Sequence, residues 1–179
     1  MILRCRYISF MKFAKLIRRA GQLLLASTLL ILPANFYATP SPQSAPNIGV
    51  TGSLSANSVK RGRSVQGTIT MDIPAGYHVN SSRPLEKFLV ATELRIEASN
   101  STRVGPVIYP RAVLRMFKFS KSRVSVYEGR AIMRFSVSVP ASAAIGSTQL
   151  KARLRYQSCN DEVCFPPRTQ EVSLSLTIN

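Results

Sequence analysis

The chain has 179 residues, 24 of them Lys or Arg against 8 Asp or Glu, and a formal net charge of +16. That length holds one ordinary domain and a tail, and with 45% hydrophobic but only 18% charged residues the chain is no disordered polycation. So large a charge invites a nucleic-acid reading, which the positions of the charges then decide.

Every ionisable residue before position 39 is basic: Arg4, Arg6, Lys12, Lys15, Arg18 and Arg19. The apolar run Leu23 to Leu32 follows them, the layout of a secretory signal over residues 1–38. Met1 or Met11 could start it, and Ala34 or Ala38 could end it. Because Leu32 and Phe36 sit awkwardly before those alanines, an uncleaved membrane anchor stays open, although the run is shorter than the ~20 residues that span a bilayer. Residues 39–46 (Thr39-Pro40-Ser41-Pro42-Gln43-Ser44-Ala45-Pro46) read as an extended Pro/Ser-rich linker, and the folded domain is expected over 47–179. Export leaves 18 basic residues against 8 acidic ones. They are dispersed and alternate with apolar residues, the pattern of a solvated cationic face. No nucleic-acid partner is expected, while weak contact with anionic membrane stays open.

Strict alternation then predicts strands. Val65, Gly67, Ile69, Met71 and Ile73 form one inward set; Leu94, Ile96 and Ala98 a second; Phe135, Val137 and Val139 a third. Leu150, Ala152, Leu154 and Tyr156 form a fourth, and Val172, Leu174, Leu176 and Ile178 a fifth, each with polar residues between. Lys60-Arg61-Gly62, Pro74-Ala75-Gly76, Glu128-Gly129-Arg130 and Ile145-Gly146-Ser147 read as turns. Seven to nine short strands without a helical stripe predict an all-β chain, an immunoglobulin-like antiparallel β-sandwich.

The domain holds two cysteines, in Tyr156-Gln157-Ser158-Cys159-Asn160-Asp161-Glu162-Val163-Cys164-Phe165-Pro166-Pro167. The segment reads as a hairpin whose tip a Cys159–Cys164 bond can close, since facing Cα atoms lie about 4.5–5.5 Å apart. Counting from Tyr156 places Cys159 on the wet face, whereas counting back from Val172 places Cys164 on the buried one. The register must therefore slip by one residue, and Pro166-Pro167, which cannot donate to a ladder, is the expected place. From spacing alone a structural staple and a redox reagent stand level: the short loop gains only ~2 kcal/mol from closure, yet hairpin-tip disulfides are common. Two thiolates and one distant His leave a zinc shell short. No cofactor is expected. One His and scattered carboxylates offer no triad or paired acids for hydrolysis.

The cysteine segment, with Gly76-Tyr77-His78-Val79-Asn80, Phe88-Leu89-Val90-Ala91-Thr92-Glu93-Leu94, and Tyr109-Pro110 leading through Phe117-Lys118-Phe119 to Val126-Tyr127-Glu128-Gly129, resembles the amino-terminal periplasmic domain of the thiol:disulfide interchange protein DsbD over roughly residues 47–178. The resemblance implies a periplasmic location and an electron relay. Cys159 and Cys164 match the family's redox pair, which is reduced by a thioredoxin-like domain and passes electrons to oxidised partners. It further implies a cap-loop phenylalanine over the pair, with Phe119 the best match and Phe117 second, and Cys164 as the partner-linked sulfur. Two departures stand out: Arg115, Lys118 and Lys121 replace acidic residues beside the cap, and the cysteine loop is one residue shorter. Cations there favour a thiolate, whereas Asp161 and Glu162 oppose it. His78, Tyr77 and Tyr156 read as packing residues.

With no membrane-spanning or thioredoxin-like segment before Asn179, a separate membrane electron donor is expected. The leading expectation is thus an exported thiol-disulfide exchange module with thioredoxin-like partners, a component of protein-disulfide reduction. The alternative is a non-enzymatic immunoglobulin-like interaction module with a structural hairpin disulfide.

Overall fold

In a computed structural model of the chain, residues 44–98 and 102–179 are described, and every element among them is a strand. The expected signal segment and most of the linker lie outside the described residues. In chain order the strands are β1 (Gly49–Leu54), β2 (Ser58–Val59), β3 (Ser64–Asp72), β4 (His78–Asn80), β5 (Glu93–Ala98), β6 (Arg103–Val104), β7 (Val113–Arg115), β8 (Val124–Tyr127), β9 (Arg130–Ser138), β10 (Gly146–Tyr156), β11 (Ser158–Cys159) and β12 (Arg168–Ile178).

The order β1-β3-β9-β6 makes one sheet and β2-β12-β10-β5 the other. Alternation drives them together. β3 buries Val65, Ile69 and Met71, and β9 buries Ala131, Met133, Phe135 and Val137. Leu150, Ala152, Leu154 and Tyr156 of β10 and Leu174, Leu176 and Ile178 of β12 join the same core. Removing these side chains from water at roughly 25 cal/mol per Å² is the main stabilising term. The result is the immunoglobulin-like sandwich expected, with one refinement: β2 runs parallel to β12, while every other strand pair is antiparallel.

A third sheet, β11-β4-β8-β7, lies at one end. Its strands continue the main ones: β3 leads into β4 through the Pro74-Ala75-Gly76 turn, β8 leads into β9 through Gly129, and β10 leads into β11 through Gln157. The turn at Gly129 requires φ = 62°, and there its carbonyl accepts from the Ile73 amide at 2.7 Å. β4 and β8 are buried at every position. A strand covered on both faces has no wet face to alternate with, so periodicity did not predict these two.

The outer face of β5, β10 and β12 carries dispersed cations. Arg153 reaches Glu171 at 2.6 Å and Glu97 at 3.4 Å, and Arg95 reaches Glu93 at 2.8 Å. These pairs are solvent-exposed and hence weak. They are a paired polar face, as the dispersal of charge implied.

Candidate redox site

The site grows from the end of β10. Tyr156 still faces Arg168 in the β10–β12 ladder, yet Cys159 faces Cys164. Between these pairs Gln157 and Ser158 stand against Phe165, Pro166 and Pro167, so the one-residue slip occurs in the stretch holding the two prolines. Past the slip, the chain leaves the sandwich and pairs with β4: Ser158 faces Val79 and Cys159 faces His78.

Gln157 fixes this departure. Its Oε1 accepts from Asn80 Nδ2 at 3.0 Å and from the Val90 amide at 3.1 Å, and its Nε2 donates to the Phe165 carbonyl at 3.2 Å. One side chain thus ties β4, the loop before β5 and the far arm of the hairpin. Sequence reading missed this role. The visible signal was an amide at the junction between an alternating run and the cysteine loop, where backbone groups freed by the slip need partners.

At the tip, Asn160 Oδ1 accepts from the Glu162 and Val163 amides at 2.9 and 2.8 Å, and the Asn160 amide donates to the Val163 carbonyl at 3.0 Å. This turn brings Cys159 and Cys164 together as a disulfide with Cα atoms 4.0 Å apart. The expected facing of the sulfurs needs correction. Cys159 is fully buried, not wet, and Cys164 is half-buried. Counting parity from Tyr156 presumes a two-layer sheet, whereas β11 belongs to the third sheet and is covered on both sides.

The cover comes from the segment between β7 and β8. Phe117 stacks on His78 with ring centroids 3.9 Å apart, and Phe119 stacks on Phe117 at 5.3 Å. Both rings, with Cys164, pack against the small apolar cluster Leu89, Val124 and Val126. Phe117 is therefore the inner ring and Phe119 the outer. The segment is pinned to the hairpin tip: the Lys118 amide donates to the Asp161 carbonyl at 3.2 Å, and Lys118 Nζ reaches Glu162 Oε1 at 3.2 Å. At its far end Ser122 Oγ donates to Glu86.

Two ion pairs lie beside the cysteines. Arg115 holds Glu128 through two contacts of 2.9 and 3.0 Å, as Lys118 holds Glu162. His78, set aside by sequence reading as a packing residue, is 2% exposed. Burial lowers its pKa from the ordinary 6.5 to about 4, although the carboxylates of Glu128 and Asp161 pull the other way. Tyr156 is core, its hydroxyl accepting from Gln170 Nε2 at 2.7 Å, and Tyr77 lies 6.2 Å from the Phe165 ring.

Residues 52–176 match the family model described as thiol:disulfide interchange protein DsbD, N-terminal. The reduced DsbD N-terminal domain of Neisseria meningitidis is 20% identical, with a TM-score of 0.45 over 72% of this chain and 85% of that one. The N-terminal periplasmic domain of ScsB from Proteus mirabilis is 15% identical, with a TM-score of 0.48 over 73% of this chain and 46% of that one. No curated protein matches.

Proposed function

Because the chain belongs to the DsbD N-terminal domain family, we propose that it is an exported thiol-disulfide exchange module relaying two electrons through Cys159 and Cys164, from a thioredoxin-like reductant to oxidised periplasmic proteins. The observation that carries this reading is the asymmetry of the bonded pair: Cys159 is sealed, whereas Cys164 is half-buried beneath a two-phenylalanine cover.

A reductant's thiolate attacks the more accessible Cys164 sulfur, and the S–S electrons leave on Cys159 as a thiolate. The reductant's second thiol, once ionised, closes on the first and expels the Cys164 thiolate. Two electrons pass, and two protons are taken up by the domain. Toward an oxidised acceptor the same steps run backwards. Phe119 and Phe117 serve as the cap, displaced by a docking partner, while Lys118, Asp161 and Glu162 hold it closed. The donor that re-reduces the pair is a separate membrane protein in this reading, and among the described residues no helix is long and apolar enough to cross a membrane.

Trapping tests the proposal. With Cys159→Ser, the remaining Cys164 thiol should capture an oxidised thioredoxin-like protein as a mixed disulfide resolvable by dithiothreitol, and Cys164→Ser should capture far less. Absence of exchange between the wild-type pair and any thioredoxin-like protein, even with the cap opened by Phe117→Ala, would establish the second reading. In that second reading the bond is a staple that rigidifies an interaction module. Under it, changing both cysteines to Ser leaves binding intact.

A further inference from the structure

β4 places a polar column beneath the disulfide. His78 faces Cys159 in the antiparallel register. Side chains of directly opposed residues share a face with Cβ atoms about 4.5–5.5 Å apart. Asn80, two residues on, shares that face and bonds Gln157. Among the described residues, the buried side-chain atoms with no hydrogen-bond partner are His78 Nε2 and Asn80 Oδ1. Both sit on this strand, and the imidazole is sealed by the Phe117 ring.

An unmet buried acceptor or donor is costly, and a disulfide sulfur is a poor partner for one. Cleavage changes the chemistry next door: Cys159 becomes a thiol that can donate or a thiolate that accepts strongly. The orphaned nitrogen is thus matched to the reduced protein and not to the oxidised one.

We propose that His78 is the proton-holding partner of Cys159, its Nε2 taking up a proton as the Cys159 thiolate forms and returning it when the disulfide closes again. The proposal rests on the redox reading above and adds to it the residue that balances the charge. When a dithiol opens the bond, the electron pair leaves on Cys159 Sγ. The proton that the attacking thiol lost on ionising is taken up at His78 Nε2, giving an imidazolium–thiolate pair. Oxidation returns the electrons to the S–S bond and the proton to the acceptor's leaving thiolate.

The charged groups around the imidazole leave this exchange to the cysteine. Glu128, beyond β8, is held by Arg115 from β7; at the hairpin tip Glu162 is held by Lys118 of the cover, and Asp161 faces the ring electrostatically. In the oxidised state burial keeps the ring neutral, with a pKa of about 4.

His78 is the one histidine of the chain, so its ring nitrogens give unambiguous NMR signals. The experiment titrates the ¹⁵N-labelled full chain, oxidised and then reduced with dithiothreitol. The expected result is a rise of the imidazole pKa from about 4 by about three units or more on reduction, about a thousandfold strengthening of proton binding that leaves the ring protonated at neutral pH. The coupling within the reduced pair is mutual, so the imidazolium lowers the Cys159 thiol pKa, read by pH-dependent alkylation of the reduced chain. Superimposable histidine titrations in the two states would overturn the proposal. In a second arm His78→Phe, which keeps a ring against Phe117, should raise the Cys159 pKa by about one unit or more, at least about a tenfold loss of thiolate. An unchanged alkylation profile overturns the proposal too, and a variant that does not fold leaves the wild-type titration decisive. Because dithiothreitol replaces the protein partner, failure of exchange with thioredoxin-like proteins would sink the relay without touching this result.

Discussion

At His78, the native state holds an imidazole that resists protonation until about pH 4, whereas the unfolded chain takes the proton near the ordinary 6.5. A folded pKa lowered in this way gives stability that is fully present above 6.5 and lost as pH falls toward 4. The loss at the lower end is on the order of 3 kcal/mol. Denaturant midpoints of the oxidised protein between pH 7.5 and 4 should fall accordingly, and His78→Phe should flatten that slope. Gln157 makes an equally local prediction. Gln157→Ala strands the Val90 amide and the Phe165 carbonyl, each now without the side-chain partner it has. Both bonds are part-buried, so a cost of about 2 kcal/mol is expected by urea unfolding, the lower end of the about 1–3 kcal/mol that each unpaired buried group costs, together with faster reduction by dithiothreitol as the hairpin loosens. Neither role could be read from residue identity. A lone His and a Gln beside a cysteine are ordinary residues until a register places them.

At the scale of elements, the long strands were legible and the short ones were not. The alternating sets in β3, β5, β9, β10 and β12 are the ones predicted, because each of those strands has one face in the core and one in water. β4, β8 and β11 are buried throughout, and the site lies on them. The slip at Pro166-Pro167 was predictable because parity is an integer constraint on a hairpin with fixed ends. The facing of Cys159 was not, because it depends on which sheet the strand joins. Pairing also explains Gly67. It sits opposite Phe135, and a Cβ built there would lie 2.3 Å from the ring. Gly67→Ala should therefore displace Phe135 and cost about 1–3 kcal/mol, as overpacking does, seen as a lower thermal midpoint with exchange at the distant cysteines unchanged.

For the whole molecule, the main core and the candidate redox site are separate. The main cluster is drawn chiefly from β3, β9, β10 and β12, while Cys164 packs with the small cluster under the cover. Replacing both cysteines by Ser should thus lower stability by only about 2 kcal/mol, the entropy of a short closed loop. Unfolding should remain a single cooperative transition by circular dichroism, and a loss of cooperativity would mean the disulfide holds the sandwich together. Across the strands Arg153 meets Glu97 and Glu171, but the basic residues still outnumber the acidic ones, so the outer face stays cationic.

Sequence alone determined the sandwich, its long strands, the hairpin and the pairing of its two sulfurs, because alternation, turn chemistry and short loop closure are local in the chain. Only the tertiary structure decided which sulfur is sealed, that Phe117 lies inside Phe119, and that His78 stands across from Cys159. Those facts depend on three segments, residues 76–80, 115–123 and 157–165, converging on one sheet. Contacts between residues some 40 or 80 positions apart leave no periodic trace in the chain, since they arise when the β11 strand leaves the sandwich and needs new neighbours to satisfy its backbone.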